Sequence, residues 1–337
     1  MRTFKNSEQK TFEQLASLSQ ASLKKVLSNF LRKHYPKVIE TKDYIYTEGE
    51  IPIALVAHMD TVFKRPPEEI FFDPKHNVMW SPQGLGADDR AGVFAIIQLI
   101  RTGLRPHIIF TTDEELGALG ALSLSKLDCP FTELKYLIQL DRRGSNDCVF
   151  YDCDNQAFID YIESFGFNFN YGTFTDISEL CPAWKRAGVN LSVGYRNEHS
   201  EAEVLHVGQL LDTIAKVQKM LLDAINVSEF AYIPSLNSFN KGWCFTNLPV
   251  EFKQEAQVMK CSKCRKYFME EELIPTVMSN KTTEYFCFDC MTNNVSFCTS
   301  CGNAYEITNI DEMNGGLCPW CREREEKNNG NRPKVEK

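Results

Sequence analysis

The run IPIALVAHMD, residues 51–60, is apolar at nearly every position until it reaches His58 and Asp60. A strand buried on both faces reads this way, because helices cover both sides of a parallel sheet. The pattern recurs. RPHIIFTTDEE (105–115) runs into Glu114 and Glu115, and LKYLIQLDRRG (134–144) into Asp141. VNLSVGYRNEHSE (189–201) reads as a further strand ending in His199, and DYIYTEG (43–49) as a short one. Between them lie helical periodicities. TFEQLASLSQASLKKVLSNFLRK (11–33) spaces its apolar residues as one or two amphipathic helices. GLGADDRAGVFAIIQLIRTG (84–103) is a Gly-rich turn feeding a helix stopped by Gly103. TDISELCPAWKRAG (175–188) reads as a capped helix closing at Gly188, and GQLLDTIAKVQKMLLDAI (208–225) as the amphipathic helix that closes the domain. Alternating strands and helices of this kind predict an α/β domain over 1–227 with a mainly parallel central sheet.

Four of these strands end at ionisable residues, and Asp88 lies in the turn before a helix. Ligands of open α/β sheets collect beyond the carboxyl ends of the strands, so these groups can converge there. Adjacent carboxylates at the end of a buried strand repel each other and resist desolvation. Divalent cations would neutralise them and lower the pKa of a bound water. Glu114 and Glu115, on an extended backbone, point opposite ways, so one can face a metal while the other handles a proton. Each piece also has a plainer reading. An acidic pair can be a solvated loop edge, Asp88 and Asp89 a helix cap, and Ser200 with Glu203 a capping box beside His199.

The ordered set HMD (58–60), LGADDRAGV (85–93), DEELGALGA (113–121), LD (140–141) and YRNEHSEAEV (195–204) resembles the co-catalytic zinc exopeptidases, among them peptidase T, zinc aminopeptidases and amino-acid deacylases. The resemblance spans roughly residues 50 to 225. It implies a three-layer fold, a cis peptide between Asp88 and Asp89, and two Zn2+ ions (Co2+ or Mn2+ in their place). Asp88 would bridge the ions, with His58 and Asp141 completing one site and Glu115 and His199 the other. Asp60 would hold the His58 ring, and Glu114 would be the general base. The gaps of 29 residues between His58 and Asp88, and 57 between Asp141 and His199, leave no room for the lid or dimerisation domain that many relatives insert. Tyr195 and Arg196 are therefore candidates for steadying the oxyanion, with a structural ion pair the plain alternative for Arg196.

Eight of the thirteen cysteines form CxxC pairs after residue 260. CSKC (Cys261, Cys264) and CFDC (Cys287, Cys290) are separated by 22 residues, and CTSC (Cys298, Cys301) and CPWC (Cys318, Cys321) by 16. Such spacing predicts two structural Zn2+ sites in zinc-ribbon-like units over 259–325, paired sequentially. Residues 228–258 read as a linker or strap and 326–337 as a disordered tail. The remaining five cysteines are single and read as buried small apolar residues.

The 337-residue chain carries a net charge of -8, with 43% hydrophobic and 24% charged residues. That balance argues against a nucleic-acid binder. From 251 to 337, 12 Lys and Arg against 14 Asp and Glu leave -2, which favours a protein partner for the cysteine units. No run is long and apolar enough for a membrane span, and the N-terminus has no apolar secretion signal, so the cytosol is the expected compartment. The combined reading is amide-bond hydrolysis, with a peptide as the leading substrate for an aminopeptidase. An acylated amino acid for a deacylase is the runner-up, and an idle zinc-binding scaffold the rival.

Overall fold

The apolar spacing of the N-terminal segment resolves into two helices, α1 (Asn6–Ala16) and α2 (Gln20–Leu31), separated where Ser19 caps the second by accepting the Ser22 N–H. A computed structural model describes residues 2–235 and, further on, 258–269, 273–279, 282–287, 290–291, 295–298, 304–306, 317 and 321–323. The chain divides into two compact units, Met1–Trp243 and Cys244–Lys337. Among the described residues no helix is long and apolar enough to cross a membrane.

In the first unit the chain continues through β1 (Ile39–Glu40), β2 (Tyr44–Thr47) and β3 (Ile51–His58), the strand of the opening stretch. The short strands β4 (Phe71–Asp73) and β5 (Val78–Trp80) precede α3 (Ala87–Arg101) and β6 (Pro106–Thr111). Then come α4 (Leu119–Ser125), β7 (Tyr136–Arg142), β8 (Asp147–Val149), α5 (Gln156–Glu163) and β9 (Asn168–Phe169). The unit ends with α6 (Asp176–Trp184), β10 (Gly188–Ser192), β11 (Tyr195–Arg196), β12 (Val204–His206) and α7 (Val207–Asp223).

Eight strands form one sheet in the order β1-β2-β6-β3-β7-β10-β8-β9. Its centre, β6-β3-β7-β10, is parallel, and antiparallel pairings join β2 on one side and β8 on the other. Strand β3 shows why the apolar run is continuous. Ile53, Leu55 and Ala57 enter the core under α3 and α7, while Ala54 and Val56 enter the core under α4 and α6. Successive side chains point to opposite faces, so a strand covered on both sides needs apolar residues at every position. The result is a three-layer α/β unit. Helix α3 crosses β7 closely at Gly92, where a Cβ would collide with the Leu140 carbonyl and the Asp89 carboxylate.

One predicted strand divides in two. β10 stops at Ser192, and Gly194, with φ +93°, turns the chain into β11 of a second sheet ordered β11-β12-β5-β4. The left-handed conformation there suits glycine. Of the predicted strap, residues 228–235 run along the first unit. Phe230 accepts from Ala187 N–H, donates to Lys135 O and packs its ring against Tyr136, Phe158 and Tyr161. The strap's continuation, 236–257, lies outside the described residues, as does the predicted tail.

Among its described residues the second unit has three antiparallel two-stranded pairs: β13 (Val258–Lys260) with β14 (Tyr267–Met269), β15 (Leu273–Val277) with β16 (Thr283–Cys287), and β17 (Val295–Phe297) with β18 (Ala304–Glu306).

Candidate metal centre

His58, Glu115 and Asp141 lie at or just past the ends of central strands, whereas His199, predicted at a strand end, sits in the loop after β11 of the second sheet. His58 is the last residue of β3, and its buried ring is held at both nitrogens. Nδ1 lies 3.2 Å from Asp60 Oδ1, and Nε2 lies 3.2 Å from Asp88 Oδ1 and 3.5 Å from Asp141 Oδ1. The other oxygen of Asp88 lies 3.3 Å from His199 Nε2, which is 3.0 Å from Glu115 Oε2. Two ligand sets result: His58, Asp88 and Asp141, and Asp88, Glu115 and His199. The donor atoms within each set lie within 4.8 Å of one another. Asp88 belongs to both. The peptide between Asp88 and Asp89 is cis.

Asp60 also orders the acidic pair. Its oxygens accept the N–H of Glu114 at 3.1 Å and of Glu115 at 3.0 Å. Among the described residues no hydrogen bond holds the Glu114 carboxyl, and Glu115 Oε1 is buried without a partner.

The electrostatics follow from packing so many acids together. Burial pushes Glu114 up to about 9, reinforced by the charges of Asp141, Asp176 and Asp88 and opposed by His58. Burial likewise raises Asp141 to about 6. His58 sits well above the ordinary imidazole value: burial opposes its charge, but Asp141, Asp60 and Asp88 outweigh it. Hydrogen bonds to Asp88 and Glu115 raise His199 to about 10. The cluster therefore demands positive charge. Two imidazoles and three carboxylates, one with an orphaned oxygen, are a donor set that fits Zn2+, Co2+ or Mn2+.

Sequence reasoning missed the residues that steady this set. Asp141 receives hydrogen bonds from Thr175 Oγ1 (3.0 Å), Gln139 Nε2 (3.2 Å) and Tyr195 Oη (3.1 Å), while Asn190 Oδ1 accepts its N–H. Asp89 Oδ2 accepts the His58 N–H at 3.2 Å. Asp176 is buried and raised to about 7 by desolvation, with Thr111 donating to its Oδ2. A glutamine inside the apolar strand LKYLIQLD was the one visible signal. The buried Tyr195 donates its hydroxyl proton to Asp141, and of the two oxyanion candidates only Arg196 is exposed. The capping-box reading of Ser200 and Glu203 fails, since no helix starts there. The Glu203 carboxylate instead accepts backbone N–H groups of residues 86–88.

In the second unit, Cys261, Cys264, Cys287 and Cys290 place their sulfurs within 4.8 Å of one another, a four-thiol cluster that fits a tetrahedral Zn2+. The Cys287 N–H donates to Cys261 Sγ. Burial acts against the Cys261 thiolate, but N–H groups of Cys287, Cys264 and Lys263 bring it down to about 6. Cys298 and Cys321 share a small buried cluster with Tyr305 and Leu317. Cys301 and Cys318, the other ligands predicted there, lie outside the described residues. Cys148, Cys153 and Cys181 are buried and Cys129 half-buried.

No protein-family model and no curated protein matches the sequence. Solved structures match the fold. Aminopeptidase PepT from Bacillus cereus is 15% identical with a TM-score of 0.51, covering 65% of this chain and 98% of that one. A tripeptidase from Staphylococcus aureus is 12% identical with a TM-score of 0.50, over 65% and 98% of the two chains. A TET aminopeptidase from a marine-sediment Thaumarchaeota archaeon is 11% identical with a TM-score of 0.51, over 66% and 99%. The chain shares its fold with these peptidases over about two thirds of its length.

Proposed function

We propose that the chain is a dinuclear metallohydrolase that cleaves amide bonds, acting as an aminopeptidase on peptides. The observation that carries this reading is Asp88, shared between two ligand sets, with an unbonded Glu114 carboxyl in the same cluster. His58, Asp88 and Asp141 would hold one cation and Asp88, Glu115 and His199 the other. When bound, the cations polarise the scissile carbonyl, bring the pKa of an attacking water toward neutrality and draw nearby carboxylates into their ionised form. Glu114 then takes the proton of the attacking water and passes it to the leaving amine. Asp60 fixes the His58 ring through Nδ1 and, through the two N–H groups it accepts, the strand end that carries Glu114 and Glu115.

The four-cysteine cluster is proposed as a closed structural Zn2+ site, with Cys298, Cys301, Cys318 and Cys321 forming a second. The organisation that accompanies this reading is a catalytic domain over 1–227, a strap over 228–258, ribbon-like units over 259–325 and a tail.

Mass spectrometry of a mixed pool of peptides, some free and some acetylated at the N-terminus, tests the assignment. Stepwise loss of N-terminal residues from the free peptides alone is expected. Release of acetyl groups from intact peptides would make the chain a deacylase instead. No turnover of either, with metals bound, would leave a scaffold.

A further inference from the structure

Residues 197–202, the loop that carries His199, are exposed or half-buried throughout, and the loop ends at the fully buried Glu203. One oxygen of Glu203 accepts the N–H groups of Gly86 (2.5 Å) and Ala87 (3.1 Å). The other accepts the N–H of Asp88 at 3.0 Å. A single carboxylate thus meets three consecutive donors at the start of α3, where the backbone at Asp88 and Asp89 is not helical and leaves such groups without carbonyl partners. Glu203 is equally tied to its own loop: its N–H donates to Ser200 O at 3.0 Å, and Ser200 Oγ donates to Asn197 O at 2.7 Å. Within that loop Asn197 and His199 are both left-handed, at φ +57° and +61°. The two segments joined in this way bear Asp88 and His199, whose side chains meet at 3.3 Å.

We infer that Glu203 is a positioning residue for the dinuclear centre. It clamps the 86–88 turn so that Asp88 offers one oxygen to each ligand set, and it locks the exposed His199 loop to that turn. This inference rests on the dinuclear reading above. Glutamate suits the role because both of its oxygens can accept and together serve all three donors, whereas the amide of glutamine would turn an N–H group toward them.

Titration of the full chain with Mn2+, followed by electron paramagnetic resonance, tests the clamp. Mn2+ prefers carboxylate and imidazole to thiolate, so the cysteine clusters contribute little. The parent is expected to show a spin-coupled pair of ions. Glu203→Gln should weaken Mn2+ binding by about 10- to 100-fold and lose the coupled signal. Glu203→Asp should recover part of both, and Glu201→Gln, an exposed control in the same loop, should match the parent. A Glu203→Gln chain that melts at a lower temperature yet keeps parental affinity and coupling would show a purely structural role and overturn the inference. Should that variant not fold, amide exchange in the metal-free parent decides. Protected N–H groups at 86–88 support the clamp, and exchange at the free-peptide rate overturns it. A parent without a coupled pair removes the dinuclear reading itself. A coupled pair unchanged in Glu203→Gln removes only the clamp.

Discussion

His58, Asp88 and Asp141 stand at the edge of a sheet whose core includes Phe94, Phe110 and Tyr136, all fully buried. Cys261, Cys264, Cys287 and Cys290 stand on two-stranded pairs whose buried apolar company is Leu273, Met278, Phe286 and a few neighbours. In the first unit the fold gathers the ligands, against the repulsion of several buried acids. In the second, on the proposed zinc reading, the ligands would gather the fold, because the apolar cluster among the described residues is too small to offset the entropy of ordering the chain. On the reading proposed above, a metal would serve chemistry in one place and structure in the other.

The largest effect separating the two regions should come from Cys287→Ser. A structural Zn2+ site contributes about 10–16 kcal/mol to folding, so the second unit should lose its structure while the first keeps its melting transition. Limited proteolysis with mass mapping reads both units at once. Continued protection of 258–291 would break the comparison.

Next is Glu114→Gln, which should lower kcat by about 10²- to 10⁴-fold with the divalent metal content unchanged. An unaltered rate, with metal analysis confirming occupancy, would remove the proton-transfer role. Asp60→Asn should be milder. It loosens the hold on His58 and on the Glu114–Glu115 backbone, and metal affinity measured by chelator competition should fall about 10- to 100-fold.

The smallest effect concerns a histidine far from the chemistry. His107 accepts the Gly49 N–H at Nδ1, faces the Glu133 carbonyl with Nε2 and stacks on Phe131. Burial holds its pKa below the ordinary value, so the folded chain binds this proton less readily than the unfolded one. Its contribution is full above the unfolded value of about 6.5 and is lost as pH falls toward the folded one, by at most about 1.4 kcal/mol per pH unit. Melting temperatures at pH 7 and pH 5 should therefore diverge more in the parent than in His107→Gln. Equal divergence would assign the acid sensitivity elsewhere.

Much of the first unit is legible in the amino-acid order. The strands β3, β6 and β7 show burial on both faces as unbroken apolar runs, and the helices α3 and α7 are long enough for a helical pattern to be read. The strands β4, β5, β8 and β9 are not legible in this way. Each has two or three residues, too few for a period, and β4 and β9 are exposed or half-buried. The break at Gly194 is hidden because the residues on both sides are apolar enough for one strand.

The sequence by itself placed imidazoles and carboxylates in order near one end of the strands, since chemistry and strand direction are local properties. The CxxC spacing likewise pointed to thiol clusters, and Cys261, Cys264, Cys287 and Cys290 gather into one. Tertiary structure alone decided which partners hold each ligand. Glu203 reaches Asp88 across 115 residues, and Thr175, Gln139 and Tyr195 converge on Asp141 from two strands and a helix cap. Hydrogen bonds act over about 3 Å, and no local pattern records which distant residue the packing of the core will bring within that reach.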